Sequence, residues 1–148
     1  MKYENQMTLT IDAKSINESF ARGVISSFCV QLNPTVEELG DIKTAVSEAV
    51  TNCIVHGYQS AQKGEIEIWA GIIDSTLTIK ITDFGKGIAN IDEALQPFFT
   101  TCRNGERSGM GFTVMQAFCD KMEVDSEVDR GTIVTLIKTI GNGKGEEC

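Results

Sequence analysis

The chain has one histidine, and its five cysteines (Cys29, Cys53, Cys102, Cys119 and Cys148) are scattered without a C-x-x-C pair. Such a set offers neither a zinc framework nor a disulfide frame, and reads as reduced thiols in a cytoplasmic compartment. Basic residues are also scarce: 13 Lys and Arg against 21 Asp and Glu leave a formal net charge of −8 and a pI near 4.6. That balance argues against direct binding of nucleic acid, which normally requires a basic patch. No apolar run reaches the roughly 18 residues that a membrane span needs. The opening Met1 to Gln6 lacks the apolar core of a secretory leader. A cytoplasmic protein with no membrane association is expected.

What is present is ordinary for a globular chain: 148 residues, 41% hydrophobic and 23% charged. One domain over residues 1–140 is the simplest division, followed by a polar, disordered tail from 141 to 148. Met7–Ile11 alternates as an edge strand. Ser15–Leu32 reads as a helix with Ser15 and Glu18 forming a capping box and Phe20, Val24, Ile25, Phe28 and Leu32 as its apolar stripe. Asn33-Pro34 ends it. Thr35 and Glu38 cap a second helix that runs to about His56 and stops at Gly57. Glu65–Ile73 and Thr76–Thr82 pair through a turn at Asp74-Ser75. The segment from Asp83 to about Arg107 is irregular save for a turn at Ile91–Leu95. A helix over Ser108–Asp120 and a hairpin of Glu123–Val128 with Thr132–Thr139 complete the chain. The order β-α-α-β-β-loop-α-β-β predicts an α/β (α+β) two-layer sandwich, its sheet mixed or mostly antiparallel with helices on one face.

Three motifs carry chemistry. Glu48 and Asn52 lie four apart on the second helix, beside the arc of Ile42, Val46, Ala49, Val50 and Cys53. From spacing alone they are a solvated pair, or a general base beside an oxygen ligand for Mg²⁺. Asp83-Phe84-Gly85-Lys86-Gly87 ends a strand. Asp83 is there an Asx turn, or a carboxylate accepting from the exocyclic amine of adenine. Arg107-Ser108-Gly109-Met110-Gly111-Phe112 opens a helix whose free N–H groups suit phosphate. Thr100, Thr101 and Ser108 are caps or phosphate contacts, Arg107 is a surface residue or a γ-phosphate partner, and His56 is a structural residue at a helix end. Together the motifs suggest a kinase or ATPase.

The same residues carry a family resemblance. Glu48-Ala-Val-Thr-Asn52 resembles the N box of the Bergerat-fold (GHKL) ATPases, the group of gyrase B, MutL and histidine-kinase catalytic domains. Asp83–Gly87 and Arg107–Phe112 resemble their two glycine boxes. The resemblance narrows, through Asn17–Arg22, Asp41–Asn52, His56-Gly57-Tyr58, Gln96–Thr101 and Glu106–Thr113, to the sporulation anti-sigma factors, which are small serine-protein kinases. It spans about Leu9 to Leu136.

That resemblance implies ATP and Mg²⁺ as cofactors. It makes Glu48 the general base and Asn52 the Mg²⁺ ligand. Asp83 takes the adenine amine, with Gly85 and Gly87 shaping the turn and Thr132 adding an adenine-side contact. Thr100 to Gly111 form a lid in which Gly109 and Gly111, with Ser108, Met110 and Phe112 beside them, present amides to the phosphates, and Arg107 reads the γ-phosphate. Glu18 and a solvent-facing Arg22 lie where a sporulation sigma factor and an anti-anti-sigma factor compete, and the assembly is a homodimer. Two positions depart from the pattern: Phe84 stands where an acid is usual, and Cys102, with Arg103 beside it, where a lysine is usual. A sigma-sequestering module that binds nucleotide without catalysis is the alternative. A histidine-kinase catalytic domain would need a phospho-accepting helical domain for which the chain has no room.

Overall fold

The computed structural model describes residues 2–59, 61, 63–95 and 111–141. Strand β1 (Asn5–Asp12) leads to helix α1 (Asn17–Cys29) and a 3-10 turn at Val30–Leu32. Helix α2 (Val36–Asn52) continues as one π turn, Cys53–Gly57. Then come β2 (Glu65–Ile73), β3 (Thr76–Asp83), the short α3 (Ile91–Ala94), α4 (Gly111–Phe118), β4 (Lys121–Glu127) and β5 (Gly131–Thr139). The strands form one sheet in the order β1-β2-β3-β5-β4. All four pairings are antiparallel, so the sheet is not mixed.

Strict alternation gives this sheet one dry face. Ile66, Ile68, Ala70 and Ile72 of β2 stand opposite Asp83, Ile81, Ile79 and Leu77 of β3, and Thr132, Val134 and Leu136 of β5 continue the rows. These side chains are buried, together with Ala21, Ile25 and Cys29 of α1, Ile42, Ala45, Val46, Ala49 and Val50 of α2, and Met115 of α4. The two-layer arrangement with helices on one face is therefore observed. The outer face carries Glu67, Lys80, Glu123 and Asp125, all exposed. Its aromatic corner sets Tyr3 edge-on to Trp69 at 4.9 Å. Asp83 and Thr132 are the buried polar members of the inward rows, and that anomaly locates the site.

Helix α2 follows its sequence closely. The Thr35 hydroxyl accepts from Glu38 N–H at 3.0 Å, and the Glu38 carboxylate accepts from Thr35 N–H at 2.9 Å. The capping box is complete. Glu38 also accepts from Gly141 N–H at 2.8 Å, tying the end of β5 to the start of α2.

Helix α1 departs from expectation. It begins at Asn17, and the residue before it, Ile16, is itself helical and provides no side-chain cap. The Ser15 box does not form because the Glu18 carboxylate is engaged elsewhere, by Thr51 and Arg22. The buried row is Ala21, Ile25 and Cys29, whereas Phe20 is 54% exposed. Small side chains let α1 lie close on α2, and Phe28 and Leu32 flank the core. The expected Ser108–Met110 turn of the third helix and the tail beyond Gly141 lie outside the described residues.

Candidate nucleotide site

A cleft of about 450 Å³ opens between the C-terminal part of α2, the turn after β3, α3, the start of α4 and the β4–β5 hairpin. Ala49, Asn52, Cys53, His56 and Gly57 line one wall. Their spacing follows α2 into its π turn, where Tyr58 N–H reaches Cys53 O at 2.9 Å. The extra residue of a π turn re-aims the side chains that follow it. Ile88, Ala94, Phe112, Val128 and Val134 make the cleft largely apolar. An apolar slot with a few convergent polar groups is the usual form of a small-molecule site.

Asp83 is the central polar group. It is 4% exposed and forms the Asx turn read from its sequence, with Gly85 N–H donating to Oδ1 at 2.9 Å. Burial pushes its carboxyl above the ordinary value, while hydrogen bonds from Gly85 N–H, the Cys53 thiol and Thr132 N–H pull it back. Burial and the neighbouring carboxylate push the Cys53 thiol well up, so it stays a protonated donor. Tyr58 spans the back of the site: its hydroxyl donates to Glu65 O at 2.7 Å and accepts from Phe84 N–H at 2.7 Å. Phe84 itself is 59% exposed, so the departure from an acid there falls outside the buried floor.

The glycines of the first box are explained by close approach. A Cβ at Gly85 would lie 2.1 Å from Gly57 O, and Lys86 N–H donates to that same oxygen at 3.0 Å. Gly87 has φ +75° and would set a Cβ 2.2 Å from Glu127 O, which no other residue tolerates. From the other side the loop is held by Asp129 N–H to Lys86 O at 2.7 Å. At the far end of the cleft, a Cβ on Gly111 would meet both carboxamide heteroatoms of Asn52 at 3.0 Å. The start of α4 thus rests against the Asn52 side chain.

This architecture has known counterparts. The chain matches the histidine kinase-like ATPase domain family over residues 11–138. It is 54% identical over 144 residues to an anti-sigma F factor of Caldanaerobacter subterraneus subsp. tengcongensis, covering 97% of this chain and 100% of that one. The chain belongs to the anti-sigma F factors, within the histidine kinase-like ATPases. An anti-sigma F factor of Geobacillus thermodenitrificans is 52% identical over 140 residues, covering 95% and 96% of the two chains. One of Clostridium botulinum is 51% identical over 136 residues, covering 92% and 95%. Among solved structures, the RsbU and RsbW domains of a Mycobacterium tuberculosis protein superpose with a TM-score of 0.67 at 19% identity, over 92% of this chain and 32% of that one. The catalytic domain of histidine kinase ThkA gives 0.58 at 14% identity, over 95% and 97%. At these identities the structures speak to the fold alone.

Of the residues singled out in the sequence, the fold brings Asn52, Asp83, Gly87, Gly111, Phe112 and Thr132 onto the one cleft. Gly85 packs behind it against Gly57. Glu48 is half-buried on α2 one turn before Asn52, and among the described residues it is not one that lines the cavity. Thr100, Thr101, Arg107, Ser108, Gly109 and Met110, with Cys102 and Arg103, lie outside the described residues. Glu18 and Arg22 are not at the cleft. Contrary to expectation, Arg22 does not simply face solvent: its Nη1 donates to Ser47 Oγ at 2.9 Å and lies 3.5 Å from Glu18 Oε1. Thr51 donates to the other Glu18 oxygen. The side chains of Arg22 and Glu18 are only 35% and 29% exposed, because they are spent holding α1 to α2.

The sequence reading missed Cys53 as a donor to Asp83, the apolar wall, and Ser126. The last left a signal. Met122, Val124 and Ser126 occupy alternate positions of β4 opposite Leu136, Val134 and Thr132, and a hydroxyl in an otherwise apolar inward series marks a site.

The donor set bears on the implied Mg²⁺. Among the described residues there is no cluster of three or more His, Cys, Asp or Glu side chains able to hold a metal ion. Asn52 offers one carboxamide oxygen. That fits Mg²⁺, which keeps several waters and takes its remaining ligands from substrate phosphates.

Proposed function

We propose that this chain is an anti-sigma factor and an ATP-dependent protein-serine kinase. In this reading it sequesters a sporulation sigma factor and phosphorylates a serine of an anti-anti-sigma factor, acting in the cytoplasm as a homodimer with one kinase domain over residues 1–140. The observation that carries the nucleotide half is the buried Asp83 carboxylate at the floor of an apolar slot, with Asn52 and the start of α4 at its other end. The partner half rests on the anti-sigma F factors that match this chain over nearly their whole length.

Asp83 accepts the amine of the adenine, Thr132 and the apolar wall enclose the ring, and Asn52 supplies an oxygen to Mg²⁺. When bound, Mg²⁺ would offset the charge of the phosphates. Gly109 and Gly111, with Thr100, Thr101, Ser108, Met110 and Phe112, close over the phosphates, and Arg107 contacts the γ-phosphate. The Glu48 carboxylate takes the proton of the attacking serine hydroxyl. Glu18 and Arg22 present the edge of the α1–α2 pair to both protein partners.

One observation favours the second reading, a sequestering module without kinase activity: Glu48 stands outside the cavity lining. Gel filtration of the purified chain with its sigma factor tests the first half. Co-elution in Mg·ATP but not without nucleotide is expected, and independent elution under both conditions contradicts it.

A further inference from the structure

We propose that Ser126, which does not line the cleft, is a positioning and specificity residue: its hydroxyl makes Thr132 an acceptor and so fixes the base-reading end of the cleft for an exocyclic amine. The inference rests on the reading of the cleft as a purine-nucleotide site.

The argument is one of proton counting. A serine hydroxyl has one hydrogen to give and two lone pairs to receive with. Ser126 Oγ accepts from Ile88 N–H at 2.8 Å, lies 2.9 Å from Gly131 O, and lies 2.7 Å from Thr132 Oγ1. The Gly131 carbonyl can only accept, so it takes the single Ser126 proton. The proton in the Ser126–Thr132 contact then comes from Thr132. Thr132 Oγ1 is left with lone pairs alone for the cleft that it lines. Asp83, its register partner on the neighbouring strand, is an acceptor as well.

Two acceptors side by side match the two hydrogens of a purine amine, and they repel a ring carbonyl at the same position. The bond from Ile88 couples this to the first glycine box, because Ser126 also pins the backbone just past Gly87. A part-buried hydroxyl pair, with Thr132 on its buried side, discriminates best when its polarity is fixed.

The test is the affinity of the full chain, with Mg²⁺, for ATP and for inosine triphosphate, read by calorimetry. Wild type is expected to prefer ATP. Ser126→Ala returns the Thr132 proton to the cleft, so ATP binds more weakly while the inosine nucleotide does not. The preference should fall by about threefold to tenfold, the range that one net hydrogen bond supplies. Ser126→Thr keeps the hydroxyl and should keep the preference. In a Thr132→Val background, Ser126→Ala should change the preference by less than about twofold, since the two then act as one unit.

A purely structural role would weaken both nucleotides equally and leave the ratio unchanged, and that result overturns the inference. If Ser126→Ala fails to fold, Ser126→Cys carries the same prediction, because a thiol is a weak donor and acceptor. A wild-type preference that Asp83→Asn abolishes and Ser126→Ala leaves intact overturns this inference alone. Absence of any preference in wild type, with Asp83→Asn silent, removes the purine reading and this inference together.

Discussion

Gly57 lies flat against the carboxylate of Asp83: a methyl group at position 57 would stand 2.8 Å from Asp83 Cγ and 2.9 Å from each oxygen. Gly85 packs directly on the backbone carbonyl of Gly57, so neither the helix end nor the turn has room to retreat. Gly57→Ala is therefore expected to cost about 1–3 kcal/mol by overpacking, and to turn Asp83 away from the cleft. Chemical denaturation and nucleotide calorimetry on the same sample check this. Unchanged stability and affinity would mean that the contact is easily relieved.

Asp83 should give nucleotide binding an acid limit above the ordinary carboxylate range. An ionised carboxylate accepts from an amine; its protonated form offers a competing donor. Burial raises the carboxyl above its ordinary value, so affinity should fall as pH drops through that raised value. The same shift means that ionised Asp83 opposes folding, a cost absent below the ordinary value and complete above the raised one. The Cys53 thiol donates to Asp83 and pulls in the opposite sense. Cys53→Ala should accordingly move the acid limit to higher pH. Titration of affinity against pH for both proteins checks it, and a shift to lower pH would contradict the assigned direction of the thiol hydrogen bond.

Glu48→Gln should retain nucleotide and sigma-factor binding and lose phosphorylation by on the order of 10²–10⁴ in rate, the range for removal of a general base. Single-turnover transfer to the anti-anti-sigma partner measures it. A near wild-type rate would remove Glu48 from the chemistry and favour another base.

Arg22→Ala should weaken partner binding and leave ATP affinity unchanged. Because Arg22 also bonds Ser47 and pairs with Glu18, a small loss of stability is expected as well, about 0.3–0.5 kcal/mol for an i,i+4 helix pair. Interface arginines cost at least about 2 kcal/mol when they are hot spots. Calorimetry with each protein partner, beside thermal unfolding of the variant, separates the two effects. Unchanged affinity for both partners would take the docking surface away from α1.

The sequence made local features legible. The Thr35–Glu38 capping box, the Asp74-Ser75 turn and the Asp83 Asx turn are each decided by residues within four positions of one another, and each stands as read. The α1 stripe was legible only in part: Ile25 is buried and Phe28 and Leu32 pack against the core, but Phe20 is exposed, because burial there is set by how closely α2 approaches, a relation some 25 residues away along the chain, as between Arg22 and Ser47. Cys53 was hidden for a similar reason, whereas Ser126 showed only as a hydroxyl in an otherwise apolar series, with no hint of its partners. The thiol meets Asp83 only when the π turn after α2 packs on β3, and the Ser126 hydroxyl acquires its role only when the β4–β5 hairpin closes beside Ile88 and the first glycine box. The glycine boxes were legible as motifs, but the cause of Gly85, the Gly57 carbonyl, was not.

Transfer of label from γ-³²P ATP to a purified anti-anti-sigma factor, followed by identification of the modified residue, tests the central claim most directly. The account predicts phosphoserine on the partner, formed by wild type with Mg²⁺ and abolished in Glu48→Gln. Tight ATP binding with no label on the partner at any time would contradict it and leave a nucleotide-gated sequestering protein.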